Sequence, residues 1–324
     1  MYQANEKRYD KMIYNRLGNS GLKVSAIALG LWKNFGDETP LSTQKDIIET
    51  AFDNGITYFD LANNYGDGAA EKNFGRILRE DLSTHRDEMV ISTKAGYYMW
   101  PGPYGEWGSK KNLFASMNQS LERMQLDYVD IFYHHRPDPD TPLEETAEAL
   151  DLLVRQGKAL YVGISNYRAP EAEKMIQLLK AKHTPIIVHQ PRYNLLDRWI
   201  EDGLKDVLKQ EQIGTVAFSP LAQGLLTDRY LNGIPDDSRV KKFDSLKEER
   251  VEKTIVQVKG LNEIAINRGQ TLAEMALSWD LKDDSVSSVI IGASRVSQLM
   301  DNLKALEHLE FSATELAEID NILG

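Results

Sequence analysis

Four side chains in the first half of the chain have the types and spacing needed to place a proton on a carbonyl oxygen. Asp60 ends a β-branched run, and Tyr65 follows it five residues later. Lys94 ends the next such run, and His135 comes directly after the run that follows. Reduction of a carbonyl needs a hydride at carbon and a proton at oxygen, and a phenol holds its proton at neutral pH because its unperturbed pKa is about 10. Tyr65 is therefore the candidate general acid.

The other three side chains have complementary roles in the same chemistry. Lys94 carries the charge that stabilises a phenolate, so we expect it to lower the pKa of Tyr65 by roughly 1–3 units. A buried ammonium tends to lose its proton, and Asp60 fits as its counter-ion. His135 can donate a hydrogen bond that orients the carbonyl oxygen, and a positioned general acid contributes about 10²–10⁴ in rate. Each residue alone more often caps a helix, packs or is solvated, so only their joint placement favours chemistry.

The elements that position these side chains alternate between β-branched runs and helix-period segments. Eight runs are predicted as strands, at residues 26–29, 57–60, 89–94, 129–134, 159–164, 186–190, 214–218 and 286–291. Parallel strands need helical crossovers, so eight βα units predict an α/β fold, a closed (β/α)8 TIM barrel. An open doubly wound sheet is the alternative, but it usually has fewer strands and a different ligand site. Barrel enzymes carry their sites at the carboxyl ends of the strands, where all four side chains are expected.

Turn and cap patterns mark the ends of the other elements. Residues 12–24, which contain Gly18-Asn19-Ser20-Gly21, predict a β-hairpin that caps one end of the barrel. Capping-box patterns at residues 141–144, 271–274 and 312–315 predict three helix starts. The longest irregular segments, residues 96–109 and 220–244, follow strands and are predicted as functional loops on the same face as the site. The whole of residues 1–324 is predicted as a single barrel domain.

Composition narrows the function classes. The 324 residues are 42% hydrophobic and 27% charged, which is typical of a globular protein. The first ten residues are polar and charged and lack the apolar core of a secretion signal, so we expect a cytoplasmic protein. No cysteine is present, which removes thiol nucleophiles, disulfides and thiolate metal sites. The net charge of -11 disfavours nucleic acid and membrane partners. A phosphate-bearing ligand must therefore be held by a local cluster of donors and basic side chains.

Three segments resemble the catalytic segments of the aldo-keto reductases. They read Asp-Leu-Ala-Asn-Asn-Tyr-Gly at residues 60–66, Ser-Thr-Lys at 92–94 and Val-Asp-Ile-Phe-Tyr-His-His at 129–135. The resemblance runs from about Tyr14 to the C-terminus and implies a catalytic tetrad of Asp60, Tyr65, Lys94 and His135. The family pattern favours His135, five residues after Asp130, over His134, which we expect to be a packed neighbour. The implied activity is NADPH-dependent reduction of a small aldehyde.

The same resemblance implies a set of coenzyme contacts. Residues 163–167 are similar to the segment that binds the nicotinamide carboxamide, residues 218–224 to the loop under the pyrophosphate, and residues 292–295 to the adenosine-phosphate end, where a helix N-terminus suits an anion. The implied cofactor-binding residues are Trp32, Ser165, Asn166, Gln190, Ser219, Pro220, Leu221, Gly224, Arg229, Arg239, Gly292, Ser294, Gln298 and Asn302. The basic pair Arg229 and Arg239 favours NADPH over NADH, because the 2′-phosphate needs such partners.

Within the family, residues 30–32, 219–222 and 234–239 resemble the branch of the potassium-channel β subunits. Residues 100–105 are similar to bacterial L-glyceraldehyde 3-phosphate reductases, which also reduce methylglyoxal. This implies a small aldehyde such as these as substrate, and a homo-oligomer, a tetramer or octamer. The implied substrate pocket consists of Trp32, Tyr65, Trp100 and His135. The loop at residues 66–71 is shorter than in the reductase subgroup, which leaves substrate choice open. Histidine at 135, where channel subunits have asparagine, favours a reductase over a regulatory subunit.

Other functions fit the sequence less well. Gly66-x-Gly68-x-x-Glu71 is a partial dinucleotide fingerprint, but it has Glu at its third position. A metal hydrolase that used His134, His135, His189 and Asp60 would need two adjacent strand histidines on one face, whereas neighbours in a strand point to opposite faces, so no metal is expected. A Schiff-base aldolase built on Lys94 leaves Tyr65 without a role. A non-catalytic binding subunit is disfavoured by the complete tetrad.

Overall fold

The strands form a closed barrel with a separate hairpin, as seen in a computed structural model that describes residues 2–231 and 248–324. The hairpin pairs β1 (Tyr14–Arg16) with β2 (Lys23–Ser25). The barrel strands are β3 (Ile27–Gly30), β4 (Tyr58–Asp60), β5 (Val90–Ala95), β6 (Val129–His134), β7 (Ala159–Ser165), β8 (Ile186–Gln190), β9 (Gly214–Phe218) and β10 (Ser288–Ile291). They are parallel, lie side by side in chain order, and close between β10 and β3. The predicted (β/α)8 barrel and its eight strands are confirmed, with ends shifted by one or two residues.

Helices follow the strands and contact one another in sequence order around the outside of the barrel. In the described part of the chain they are α1 (Leu41–Asp53), α2 (Ala69–Ile77), α3 (Lys110–Met124), α4 (Leu143–Arg155), α5 (Ala169–Ala181), α6 (Leu204–Gln210), α7 (Glu248–Asn267), α8 (Leu272–Asp280), α9 (Val296–Leu303) and α10 (Ala313–Leu323). Among them, no helix has the length and apolar character to cross a membrane.

Two of the three predicted capping boxes are present. The side chains of Thr271 and Ser312 each accept a hydrogen bond from the third helical amide of α8 and α10. The third helix, α4, starts where predicted, but the capping box at Thr141 is wrong, because Pro142 occupies the N-cap of α4 and no side chain caps it. The amide of Thr141 donates instead to Asp138 Oδ1 at 3.1 Å. This amide is therefore bonded within the preceding turn and not to the first turn of the helix.

Alternating side chains divide the core into two layers. On β6, Ile131 and Tyr133 point into the barrel with one hydrophobic cluster, while Phe132 packs outward against the helices with the other. The same period of two sends Ser92 and Lys94 of β5 inward, toward Asp60, which lies beside Ser92 in the strand register. Polar side chains thus replace apolar ones inside the barrel toward the carboxyl ends of β4 and β5, and we call this end of the barrel the rim.

The hairpin covers the opposite end of the barrel, as predicted. Its residues Leu17 and Val24 are fully buried in the inner cluster, and the Asn15 side chain donates to Ser287 O at 3.0 Å. Gly18 has φ +52°, and a Cβ there would lie 2.1 Å from Gln212 O. Because this end is plugged by backbone and apolar side chains, the rim is the accessible end of the barrel.

Candidate active site

The ion pair between Lys94 and Asp60 lies at the bottom of the site. Lys94 Nζ is 2.6 Å from Asp60 Oδ2, and the side chains are 0% and 3% exposed. Nζ also donates to Leu61 O at 2.7 Å. Burial lowers the pKa of Lys94, and the Asp60 carboxylate opposes this by favouring the charged ammonium. The pair is therefore a buried charge held in place by its counter-ion, as the sequence predicted.

The second oxygen of Asp60 is held from two other directions. Ser92 Oγ donates to Asp60 Oδ1 at 2.7 Å, and Gln190 Nε2 donates to the same atom at 2.9 Å. Ser92 was not singled out in the sequence, although its position two residues before Lys94 on one strand places both side chains on the same face. The carboxylate therefore has partners from β5 and β8 in addition to the lysine, which fixes its orientation.

Tyr65 lies above this ion pair on a short turn, Tyr65–Gly68, that follows β4. Lys94 Nζ is 5.2 Å from the centroid of the Tyr65 ring. The turn reverses tightly, with φ values of +56° at Gly66 and +53° at Asp67, and leads directly into α2. The structure thus brings the candidate acid to the face of the candidate ammonium, across two neighbouring strands.

The pKa of Tyr65 differs from the expectation. Burial, and after it the negative charge of Asp60, raise the pKa of Tyr65 well above 10, whereas the sequence predicted a lowered value. Lys94 Nζ lies over the face of the ring, and no hydrogen bond joins it to the Tyr65 hydroxyl among the described residues. The Lys94 ammonium is paired with Asp60, so in the free site the phenol of Tyr65 keeps its proton.

His135 lies at the edge of the same pocket. Its ring is 6.2 Å from that of Tyr65 and 4.6 Å from that of Tyr97, which it meets edge to face. Burial, followed by the positive charge of Lys94, lowers the pKa of His135 well below 6.5. The imidazole is therefore neutral at physiological pH and retains one N–H donor. The sequence alone predicts Tyr97 only as an anchor of its loop, since an aromatic residue in a long loop has no distinguishing pattern.

His134 points to the other side of β6. Its Nδ1 lies 2.5 Å from the hydroxyl of Tyr167, and its ring is fully buried. Burial lowers the pKa of His134 to about 4, so it is a neutral packed side chain. His189 is also buried and directs Nε2 to Tyr167 O at 3.0 Å. No group of three or more His, Asp or Glu side chains in residues 2–231 and 248–324 has the geometry of a metal site.

The residues expected to bind a carboxamide lie together beside the tetrad. Ser165 Oγ donates to Gln190 O at 2.7 Å, and Asn166 Nδ2 donates to Ser165 Oγ at 3.1 Å and to His135 O at 3.0 Å. Asn166 has φ +61°, a left-handed conformation that Asn tolerates better than most residues. Because Gln190 also contacts Asp60, this polar cluster is continuous with the Lys94–Asp60 ion pair.

The segment after β9 forms a tight turn next to this cluster. Ser219 O accepts a hydrogen bond from Asn194 Nδ2 at 2.9 Å, and Pro220, Leu221 and Gly224 follow in the same turn. Ser219 and Gln223 have φ values of +54° and +60°. Strained backbone of this kind is typical of ligand-binding loops. Arg229 lies in a further turn after it, while Arg239 and the segment 234–239 fall outside the described residues.

The segment after β10 contains a buried donor without a protein partner. The hydroxyl and amide of Ser294 both donate to Gln298 Oε1 at 3.1 Å, which folds the turn containing Gly292 onto the start of α9. Asn302, on the same helix, is 3% exposed, and its Nδ2 lacks a hydrogen-bond partner among the described residues. A buried amide in this state is expected to bond to a ligand or to water.

The two tryptophans predicted for the pocket are placed differently. The ring of Trp32 is 43% exposed and its centroid is 6.2 Å from that of Tyr65. Trp100 lies in the predicted loop between Ala95 and Lys110, where its backbone packs against Gly105. Its ring has no aromatic contact with the tetrad in the described part of the chain. Trp32 thus borders the candidate acid directly, and the position of Trp100 in the pocket stays a prediction.

A barrel whose rim gathers an Asp–Lys pair, a tyrosine and a histidine next to a cluster of polar side chains is typical of a carbonyl reductase. Residues 26–323 match the sequence pattern of the aldo/keto reductase family, and the chain belongs to this family of oxidoreductases. It is 55% identical to the L-glyceraldehyde 3-phosphate reductase of Escherichia coli, over 99% of this chain and 95% of that protein. It is 38% identical to a probable voltage-gated potassium channel subunit beta of Arabidopsis thaliana, over 91% and 92% of the two chains. A putative subunit of the same kind from Schizosaccharomyces pombe is also 38% identical, over 95% and 92%.

Proposed function

We propose that the protein reduces small aldehydes to alcohols with NADPH, and that Tyr65 donates the proton. One observation carries the proposal: the Tyr65 ring lies on Lys94 Nζ, 5.2 Å from the ring centroid, while Nζ is held by Asp60 at 2.6 Å. This places a phenol, an ammonium and its counter-ion at the rim of the barrel. The identity to a protein named L-glyceraldehyde 3-phosphate reductase supports the same reaction class.

The cleft beside the tetrad fits a nicotinamide coenzyme. Its two ends offer the right polar groups, since Ser165, Asn166 and Gln190 cluster near Asp60 and the unpartnered amide of Asn302 lies at the other end. Ser219, Leu221, Gly224 and Ser294 supply the turns between them. When bound, the reduced nicotinamide supplies the hydride. Arg229 and Arg239 are proposed to select NADPH through its 2′-phosphate.

The chain's own residues provide the proton and orient the oxygen. The raised pKa of Tyr65 keeps the phenol protonated at neutral pH, so the acid is loaded before the reaction. A neutral His135 offers an N–H to the aldehyde oxygen. As negative charge develops on that oxygen, Tyr65 transfers its proton, and the phenolate left behind is stabilised by the Lys94 ammonium.

The substrate is proposed to be a short aldehyde such as L-glyceraldehyde 3-phosphate or methylglyoxal. A phosphorylated substrate needs a cation at the mouth of an acidic protein of net charge -11. Lys33 lies close enough for this role, because its Nζ is 4.5 Å over the ring of Trp32, which borders Tyr65. From this position beside the candidate acid we assign the substrate phosphate to Lys33, with Trp100 covering the pocket. The cytoplasmic location and a homo-oligomeric state remain part of the proposal.

The test is a coupled panel of substrates and coenzymes. Oxidation of NADPH and NADH is followed by absorbance with L-glyceraldehyde 3-phosphate, its D-enantiomer, methylglyoxal and unphosphorylated glyceraldehyde. We expect turnover with NADPH, and a higher kcat/KM for the phosphorylated L-aldehyde than for its unphosphorylated form. Absence of turnover with every aldehyde would overturn the proposed function, and equal use of both coenzymes would overturn the assignment of Arg229 and Arg239.

A further inference from the structure

One buried carboxylate next to the site has no role in the reaction described above. Glu71 lies in the first turn of α2, and its side chain is 0% exposed. It belongs to the glycine-rich segment of residues 66–71 that only superficially resembles a dinucleotide fingerprint. A fully buried carboxylate is costly unless it is paired and hydrogen-bonded, so its partners indicate what it holds together.

Both oxygens of Glu71 are engaged by other elements. Oε1 accepts a hydrogen bond from Thr93 Oγ1 at 2.5 Å, and Oε2 is 2.6 Å from Arg123 Nε. Thr93 immediately precedes Lys94 on β5 and points outward where Lys94 points inward. Glu71 therefore binds β5 from outside the barrel, at the residue next to Lys94, whose ammonium points to the inside.

The same ion pair fixes the turn that carries Tyr65. Glu71 lies in the first turn of α2, which starts directly after the Tyr65–Gly68 turn, and Gly68 has φ +90° with the Arg123 side chain against it. A Cβ at Gly68 would lie 2.8 Å from Arg123 Cδ, so the guanidinium stem forms the outer support of the turn. The carboxylate thus joins the turn bearing the proton donor to the strand bearing the lysine.

Glu71 also acts on Lys94 through its charge. It raises the pKa of Lys94 and so works with Asp60 against the effect of burial. Asp60 does this by direct contact inside the barrel, and Glu71 does it from behind the strand. Lys94 is therefore flanked by negative charge on both faces of the barrel wall.

We propose that Glu71 is a positioning residue for the reduction: it sets the Tyr65 turn against the Lys94 strand and helps to keep the lysine charged. The inference rests on the proposed function, since it assigns Glu71 a part in proton transfer from Tyr65. It makes two separable claims, one about geometry and one about charge. Glu71→Gln removes the charge, whereas Glu71→Asp keeps the charge and shortens the reach to Thr93 and Arg123.

The experiment measures kcat as a function of pH, together with the Kd of NADPH from fluorescence titration, which also counts folded sites. In Glu71→Gln we expect kcat per folded site to fall about 10-fold or more, and the alkaline limb of the kcat profile to move to lower pH, because Lys94 loses its proton earlier. In Glu71→Asp, kcat falls but the alkaline limb stays in place. The Kd of NADPH changes less than about 3-fold in both variants, since Glu71 lies outside the cleft.

Two further variants keep the test decisive. Glu80→Gln removes a carboxylate from the exposed pair with Arg76 nearby and should leave the profile unchanged. Thr93→Val keeps both charges and loses only the hydrogen bond, so it should lower kcat with an unshifted limb even if Glu71→Gln does not fold. A lower Tm with unchanged kcat and pH profile per folded site would show a merely structural role and overturn the inference. A wild-type protein that reduces no aldehyde would instead overturn the proposed function.

Discussion

Gln190 and Asp60 are 130 positions apart in the chain, yet Gln190 Nε2 donates to Asp60 Oδ1 at 2.9 Å. The contact joins the cluster proposed to bind the coenzyme to the ion pair under the candidate acid. It crosses the inside of the barrel, because β4 and β8 lie on different sides of the closed sheet. We therefore expect occupancy of the proposed coenzyme site and orientation of Asp60 to be coupled through this amide.

Because of this contact, we expect Gln190→Leu to impair both coenzyme binding and turnover. The substitution keeps the volume close but leaves Asp60 Oδ1 with Ser92 alone, at a cost of about 1–3 kcal/mol for the lost hydrogen bond to a charged group. We expect weaker NADPH binding and a lower kcat, measured by fluorescence titration and steady-state kinetics. Gln177→Leu, which removes an exposed amide bonded to Glu211, is the control and should change neither. Unchanged kcat in Gln190→Leu would show that Ser92 and Lys94 suffice to orient Asp60.

Tyr65→Phe is expected to abolish reduction without loss of the coenzyme. Removing the hydroxyl removes the proton donor, so kcat should fall by at least about 10²-fold. The Kd of NADPH should stay within about 2-fold, because the ring still packs against Trp32 and Lys94. Tyr98→Phe, at a tyrosine that is 57% exposed, is the matched control. A Tyr65→Phe enzyme that retains most of its kcat would remove the tyrosine from the mechanism.

The pH dependence of kcat is expected to report on Lys94. Burial lowers the pKa of Lys94, so the ammonium that stabilises the phenolate is lost as pH rises, at a pH below the ordinary lysine value of 10.5. Asp60→Asn removes the main group that raises this pKa, so the alkaline limb should move to still lower pH. The measurement is kcat between pH 6 and about 10 at saturating coenzyme, in the range where lysine and tyrosine titrate. An alkaline limb that moves upward in Asp60→Asn would contradict the assigned roles.

Lys33→Met is expected to discriminate between phosphorylated and unphosphorylated substrates. If Lys33 holds the substrate phosphate, KM for L-glyceraldehyde 3-phosphate should rise about 10-fold. This corresponds to a loss of roughly 1.4 kcal/mol of binding free energy from one charge-assisted contact. KM for methylglyoxal, which has no phosphate, should stay the same in that variant. Lys158→Met removes a similar lysine, 5.8 Å over the ring of Phe114, just before β7 at the opposite end of the barrel. Equal changes in KM for both aldehydes would place the phosphate elsewhere.

Glu88 is expected to contribute to the loss of fold stability at acid pH. Burial favours its neutral form, but hydrogen bonds from Arg8, His85 and Tyr9 outweigh this and lower the pKa of Glu88 to about 2. A carboxylate with a depressed pKa in the folded state stabilises it above pH of about 4.5 and loses this contribution as pH falls toward about 2. Because the side chain is 33% exposed, we discount the effect to about 1–2 kcal/mol. Glu88→Gln should thus lower the free energy of unfolding at pH 7 more than at pH 3, measured by urea denaturation, and a uniform loss at both values would refute it.

The sequence by itself determined the barrel and the four residues of the candidate tetrad. Eight β-branched runs separated by helices leave few alternatives to a closed parallel barrel, and strand period places Asp60 and Lys94 on the inner face at the carboxyl ends. The cap at Thr141 failed because a local pattern cannot show that the amide is drawn to Asp138. Arg239 lies outside the described residues 2–231 and 248–324, so its role stays a prediction.

Only the tertiary structure decided how the charges of the site are balanced. The contact between Gln190 and Asp60, the support of Tyr65 by Glu71 and Arg123, and the position of Lys94 over the ring of Tyr65 all depend on where the closing of the barrel brings side chains from distant strands. Spacing along a chain gives the face and the end of each strand, but a pKa depends on burial and on distances of a few ångströms between charges. For this reason the sequence could place Tyr65 beside Lys94 and Asp60, where the structure has it, but assigned the wrong direction to its pKa.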